Sequence, residues 1–196
     1  PKIIVMSNSF HGRTMGAMSV TSNTTSHNAF GPILDGLIRV KFDDIEEIKK
    51  AINDNDDIAA VLLEPIQGEG GIISCSESYI KELSRLCFTN KILLMIDEVQ
   101  SGFGRSGKLF SHEWAKIRPD IMAVAKGIGS GFPLGACLAT SKASIGMVKG
   151  KHGSTYGGNH LAVSVGRKVL SIISDKKFLK NVDLISRYLW KKLKLL

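Results

Sequence analysis

Two residues in this chain stand where a charge is costly and chemistry is available. Asp97 follows five consecutive apolar residues, Ile92 to Ile96. A bare carboxylate there suffers desolvation of several kcal/mol unless a cation meets it. A protonated pyridine nitrogen is one such cation; a helix N-cap or a structural salt bridge is the plainer alternative. Lys126 also follows an apolar run and precedes Gly127, Gly129 and Gly131, which let the backbone approach a bulky group. A desolvated lysine loses proton affinity and becomes a nucleophile able to form a Schiff base. Taken alone, a snorkelling surface side chain is its ordinary explanation.

The elements that position these residues can be read from hydrophobic periodicity. Strands are expected at Lys2–Met6, Ile58–Leu63, residues 92–96, Ile121–Val124 and residues 134–139, and helices at Ile45–Asn53, Glu77–Thr89, His160–Ile173 and in the basic segment 176–196. Asp43 followed by Glu46 fits a capping box, and Ser76 fits an N-cap. Alternating strands and helices predict an α/β fold with a mostly parallel sheet flanked by helices in three layers. Ligands in such sheets gather at the carboxyl ends of the strands. Two more such ends are rich in polar groups: residues 64–71 (EPIQGEGG) after one strand and residues 8–13 (NSFHGR) after another. Acid, amide, amine and guanidinium therefore converge on one edge.

Residues 102–109 (GFGRSGKL) contain GxGxxG and nearly match a phosphate-binding loop. Leu109 stands where such a loop needs a hydroxyl, residues 97–100 separate the glycines from the apolar run, and Asp120 precedes the next strand instead of ending it. Nucleotide binding is therefore disfavoured.

The 196 residues are 43% hydrophobic and 22% charged, the profile of a globular chain with a real core. No stretch approaches the ~20 apolar residues of a membrane span, and the cytoplasm is the default location. The net charge of +8 is concentrated in residues 176–196, with seven basic residues against Asp183. Apolar residues at helical spacing make this segment a solvated face on a packed helix, without nucleic acid or membrane as partner. Cys75, Cys87 and Cys137 lie far apart and are expected in the core, and His152 and His160 lack the partner spacing of a metal site.

Five ordered blocks then carry a resemblance: SFHGRT (9–14), EPIQGEGG (64–71), DEVQSGFGRSGKLF (97–110), PDIMAVAKGIGSGFPLGA (119–136) and HGSTYGGN (152–159). Across essentially its whole length the chain resembles the class III, ornithine-type aminotransferases, which depend on pyridoxal 5'-phosphate (PLP). The resemblance implies a fold-type I PLP-transferase large domain over residues 1–175, with the basic helix 176–196 leading toward a smaller domain. It implies that Lys126 holds the cofactor covalently, Asp97 binds the pyridine nitrogen, Gln100 lies near the ring hydroxyl, and Val99 and Phe10 flank the ring. Thr155 would reach the phosphate of a neighbouring subunit, so a homodimer is expected. Arg13 would bind a substrate carboxylate, Glu69 would be the switchable partner of an arginine beyond this chain, and Glu64 would order the hydrogen bonds around the site. His11 is left outside catalysis, because neither tautomer nor partner can be read from sequence.

The implied activity is transamination in two half-reactions, with Lys126 also the general acid and base. FHGRT, residues 30–52 and the AKGIGSGFPLGACLAT run look most like the branch that moves the ω-amino group of N-acetylornithine to 2-oxoglutarate. Ornithine, succinylornithine and 4-aminobutyrate are the alternative donors, and a non-catalytic binding protein of the same fold is the alternative from another class. Ser101, Ser130 and His160 replace residues commonly Thr, Gly and Pro. Both ends look cut: a phosphate-gripping loop is expected before Pro1 and a carboxylate-binding arginine after Leu196. The 196 residues alone are expected to bind cofactor weakly and not to turn over.

Overall fold

The computed structural model describes residues 1–22 and 29–196. Six strands form one sheet in the order β2 (Leu37–Val40), β1 (Lys2–Met6), β3 (Ile58–Leu63), β6 (Leu93–Asp97), β7 (Ile121–Val124) and β8 (Ala136–Ala139). Pairing is parallel from β2 through β7, and β8 closes the edge antiparallel. A two-stranded ribbon, β4 (Ile66–Gln67) with β5 (Ile73–Ser74), stands apart from the sheet. The helices are α1 (Met15–Val20), α2 (Ile45–Asn53), α3 (Glu77–Thr89), α4 (His160–Ile173) and α5 (Lys176–Leu193). This is the mixed, mostly parallel sheet with flanking helices that the alternating pattern predicts.

The core follows from two periodicities. Side chains two apart on the strands share a face, and Ile4 and Met6, Val61 and Leu63, Leu94 and Ile96 all enter one buried cluster. Residues three to four apart share a helix face, and Ile48 and Ala51 of α2 with Ile80, Leu83 and Cys87 of α3 complete that cluster. Each large side chain buried there is worth about 1.5–3 kcal/mol. The parallel strands are thus held rigidly behind the edge that carries the polar residues.

Ser76 caps α3, accepting the Tyr79 N–H at 3.2 Å. The capping box at Asp43 is corrected: Asp44 is the N-cap of α2, accepting from the Glu46 and Glu47 N–H groups. Asp43 has a left-handed backbone (φ 61°) and turns its carboxylate to the Ser76 N–H and hydroxyl, tying the start of α2 to the start of α3. Cys87 is buried and Cys75 half-buried, whereas Cys137 lies exposed on edge strand β8. The basic helix forms, but α5 has no buried residue, and Leu184, Ile185, Leu189 and Trp190 are all exposed. Its helical spacing fixes which side is apolar without fixing what covers that side.

Candidate active site

The carboxyl ends of β6 and β7 lie side by side. Asp97 is the last residue of β6 and is in register with Ala123, and the Glu98 N–H donates to the Ala123 carbonyl at 2.9 Å. Three residues beyond Ala123 the chain enters a 3-10 turn, Lys126–Ile128, with Lys126 itself left-handed (φ 45°). For a non-glycine residue that conformation costs on the order of 1–2 kcal/mol. The hairpin that returns as β8 also demands Gly129, where an added Cβ would lie 1.9 Å from the Phe132 carbonyl oxygen. Strand register and a strained turn together set the root of the Lys126 side chain. The residue is exposed, which corrects the expectation of a desolvated lysine: it leaves the buried strand at this turn and stands at the wall of an open cavity.

That cavity, of about 780 Å³, is lined by Lys126, Gln100, Phe103 and Ile66, with Phe178 and Trp190 of α5 on one side. Gln100 lies directly on Gly68, where a Cβ would fall 1.6 Å from the amide oxygen. A second hollow of about 310 Å³ is lined by Phe10, Glu69, Asn8 and Thr21. The Arg13 guanidinium sits over the Phe10 ring, 5.3 Å from its centroid. The structure therefore gathers Lys126 with Gln100 around one cavity and Phe10 with Glu69 around another, with Arg13 over the Phe10 ring.

Glu64 ties the loop after β1 to the segment after β4. One carboxylate oxygen accepts the Phe10 N–H at 2.9 Å and the other the Gly68 N–H at 3.2 Å. Burial pushes its pKa up, and these two N–H groups and His11 offset only part of that rise. The expectation that Glu64 orders hydrogen bonds here thus acquires definite partners.

Asp97 is buried, and both its oxygens are engaged. Oδ1 accepts the Val99 N–H at 2.9 Å, and Oδ2 lies 2.8 Å from His11 Nδ1. Asp97 caps no helix among the described residues, so the N-cap alternative falls. The His11 contact was not legible from residue order, because it joins positions 86 residues apart.

Glu98 is a second residue that sequence reasoning passed over. Fully buried, it accepts from the Ser101 and Ser111 hydroxyls at 2.6 and 2.8 Å and from the His112 N–H at 2.9 Å, with His112 Nδ1 at 3.0 Å. Burial alone would raise its pKa; the hydrogen bonds from His112, Ser101 and Ser111 outweigh that and hold it below the ordinary glutamate value. The network clamps the turn after Asp97 against the 3-10 helix Ser111–Ala115. The signal was present in the doublet Asp97-Glu98, since a second acid at the end of a buried strand also needs donors.

The glycine-rich segment is no phosphate loop. The N–H groups of Gly102, Gly104, Arg105 and Gly107 are spent on the carbonyls of Glu98, Leu109, Gly102 and Gly104. Thr155 lies on an exposed turn and lines neither cavity, and His160 opens α4 as expected. Among the described residues no cluster of three metal-binding side chains occurs, and no helix is long and apolar enough to cross a membrane.

A parallel sheet presenting an acid and a lysine from adjacent strand ends, beside a cavity, defines a class of ligand-binding α/β proteins. Within that class, the sequence profile of aminotransferase class-III matches residues 1–196, and the chain belongs to that family. It is 48% identical over 182 residues to an acetylornithine aminotransferase of Mesorhizobium japonicum, covering 93% of this chain and 45% of the relative. Among solved structures it superposes on an ornithine aminotransferase from Toxoplasma gondii, described with partial PLP occupancy at its active site (TM-score 0.86, 34% identity, 91% of this chain and 42% of the other). It also superposes on an aminotransferase of Bacillus anthracis (TM-score 0.91, 28% identity, 98% of this chain and 49% of the other). The chain thus spans about half the length of these proteins.

Proposed function

We propose that the protein carrying this chain is a PLP-dependent transaminase that moves the ω-amino group of N-acetylornithine to 2-oxoglutarate and works as a homodimer. The observation that carries the reading is the pairing of β6 with β7, which puts Asp97 and the root of Lys126 at neighbouring strand ends beside a cavity of about 780 Å³.

The residues present fit the cofactor. Asp97 is buried, with the Val99 N–H on Oδ1 and His11 Nδ1 beside Oδ2, and its carboxylate oxygens keep acceptor capacity for a ring N–H. Lys126 Nζ would hold the cofactor covalently, Gln100 would lie at the ring hydroxyl, Val99 and Phe10 would flank the ring, and Thr155 would serve the phosphate of a neighbouring subunit. The bound cofactor supplies an electron sink for the substrate carbon that loses its proton. Lys126 Nζ, once free, takes that proton and returns one as acid and base. Asp97 would accept the hydrogen bond of the ring nitrogen. Arg13, beside Phe10, would pair with a substrate carboxylate, and Glu69 in the same hollow would be the movable acid.

The donor is tested by turnover with N-acetylornithine set against ornithine, succinylornithine and 4-aminobutyrate, with 2-oxoglutarate as acceptor. Preference for N-acetylornithine is expected. Preference for one of the other three would reassign the donor without touching the class of reaction.

A further inference from the structure

We propose that Arg39 is a positioning residue for the substrate side of the site: its guanidinium closes the neck of the loop that carries Phe10 and Arg13, and so fixes where Arg13 stands. The inference rests on the reading of Arg13 given under Proposed function and adds the residue that holds it in place.

The loop leaves the sheet at the end of β1, passes Phe10 and Arg13, turns through α1 and ends at Thr21. Its two ends meet at one side chain. Arg39 Nη1 donates to the Met6 carbonyl at 3.2 Å and to the Val20 carbonyl at 3.4 Å. Nη2 donates to the carbonyls of Ser19 at 3.3 Å and Thr21 at 3.0 Å. One acceptor lies on β1 and the other three at the C-terminal end of α1. The two terminal nitrogens of an arginine carry four N–H bonds in a fixed plane, and here each can meet a carbonyl.

Both partners gain from the contact. The last carbonyls of a helix have no acceptor role within it, and a cation there also faces the negative end of the peptide dipoles. With only 6 residues, α1 is too short to hold itself by its internal bonds and depends on contacts from outside. Arg39, by contrast, is placed by a strand. It stands opposite Val5 in the β1–β2 register, and the Ser7 N–H donates to the neighbouring Val40 carbonyl at 2.7 Å. The residue is exposed on an edge strand, where an arginine is ordinarily a solvated charge, yet its head group is turned back onto the backbone.

Ser9 works at the same neck. Its hydroxyl lies 2.8 Å from the Met6 carbonyl and 3.3 Å from the Val20 carbonyl, two of the acceptors that Arg39 addresses, and the Ser22 N–H donates to the Ser9 carbonyl at 2.9 Å. Phe10 has an anchor of its own, since Glu64 accepts its N–H at 2.9 Å. Beyond that anchor the chain runs through Arg13 directly into α1. A loosened neck therefore shifts α1 and Arg13 while Phe10 stays on Glu64, which confines the effect of Arg39 to the substrate side.

Kinetics on the protein carrying this chain test the proposal. Arg39→Met keeps the apolar stem and removes the four donors. The KM for the carboxylate-bearing donor that the wild type prefers should rise about tenfold, the scale of one charge-assisted hydrogen bond. kcat, and PLP affinity by fluorescence titration, should stay within about threefold of wild type. In an Arg13→Met background the same substitution should add less than about twofold, because the side chain through which Arg39 acts is gone. Arg39→Lys, with its donors on one nitrogen, should fall between methionine and wild type. Hydrogen exchange at the Met18 and Thr21 N–H groups should quicken in Arg39→Met.

An unchanged KM in Arg39→Met, a loss of kcat or PLP affinity as large as the loss in KM, a full effect in the Arg13→Met background, or wild-type behaviour of Arg39→Lys would each overturn the proposal. If the methionine variant does not fold, Arg39→Lys carries the same measurements. A wild type that turns over no donor, or an Arg13→Met variant with unaltered KM, would instead refute the reading under Proposed function. Exchange then judges the closed neck separately, and unchanged exchange in the Arg39 variant would overturn that as well.

Discussion

Asp97 and Lys126 leave neighbouring parallel strands, with Asp97 in register with Ala123 and Lys126 three residues further along, in a left-handed turn. Strand pairing fixes the first residue and a strained turn fixes the second, so neither position depends on a flexible loop. Changes that disturb the sheet edge should therefore act on function and stability together, whereas changes to the cavity wall should separate the two.

Asp97→Ala tests the sheet edge. The substitution strands the Val99 N–H and removes the partner of His11 Nδ1, each at a cost of about 1–3 kcal/mol. Urea unfolding should show a loss in that range, and transamination should fall on the order of 10²-fold or more with the charge removed. Full activity in the variant would remove Asp97 from the chemistry.

Gly68→Ala and Gly129→Ala should part company. At Gly68 the new Cβ meets only the far end of Gln100, which can swing away. Stability should change by less than about 1 kcal/mol while PLP affinity drops, because Gln100 leaves its place on the cavity wall. At Gly129 the new Cβ meets the backbone oxygen of Phe132, so thermal unfolding should reveal a loss of about 2 kcal/mol or more. Equal stability losses in the two variants would contradict the placement of Gln100.

Glu98 predicts a pH window. Its folded-state pKa lies below that of the unfolded chain, about 4.3, so the unfolded state binds the proton more readily. The stability it confers is fully present above that unfolded value and is lost as pH falls through the lower, folded one. Stability curves of wild type and Glu98→Gln should differ by about 2–3 kcal/mol at neutral pH, since the amide turns a donor toward donors, and should converge in acid. A difference independent of pH would show that Glu98 is not held ionised.

Glu64→Ala releases two backbone N–H groups on separate segments, at Phe10 after β1 and at Gly68 after β4. A stability loss of about 2 kcal/mol is expected, with faster amide exchange at both residues and little change in the β6–β7 pairing. Faster exchange at only one of them would break the link that Glu64 makes between the two segments.

The strands and long helices were legible because their signals are local. Ile4 and Met6 alternate within five residues, and Ile80, Leu83 and Cys87 recur within one helix. β2, with four residues, and the two-residue strands β4 and β5 carry too little pattern to be read alone; their partners define them. Asp43 and Asp44 both suit a cap, and the choice was made by Ser76, 33 positions away, which takes the Asp43 carboxylate. At the site, Asp97 and Lys126 were legible as charges set after apolar runs. The His11 contact and the Glu98 network were not, because both join segments distant in sequence, and a histidine does not announce its partner.

The central claim is that the amine of Lys126 is the covalent attachment point for PLP. Borohydride reduction of the PLP-loaded protein, followed by peptide mapping, should place the reduced pyridoxyl group on the peptide containing Lys126. A label on any other lysine, or none, would contradict the account.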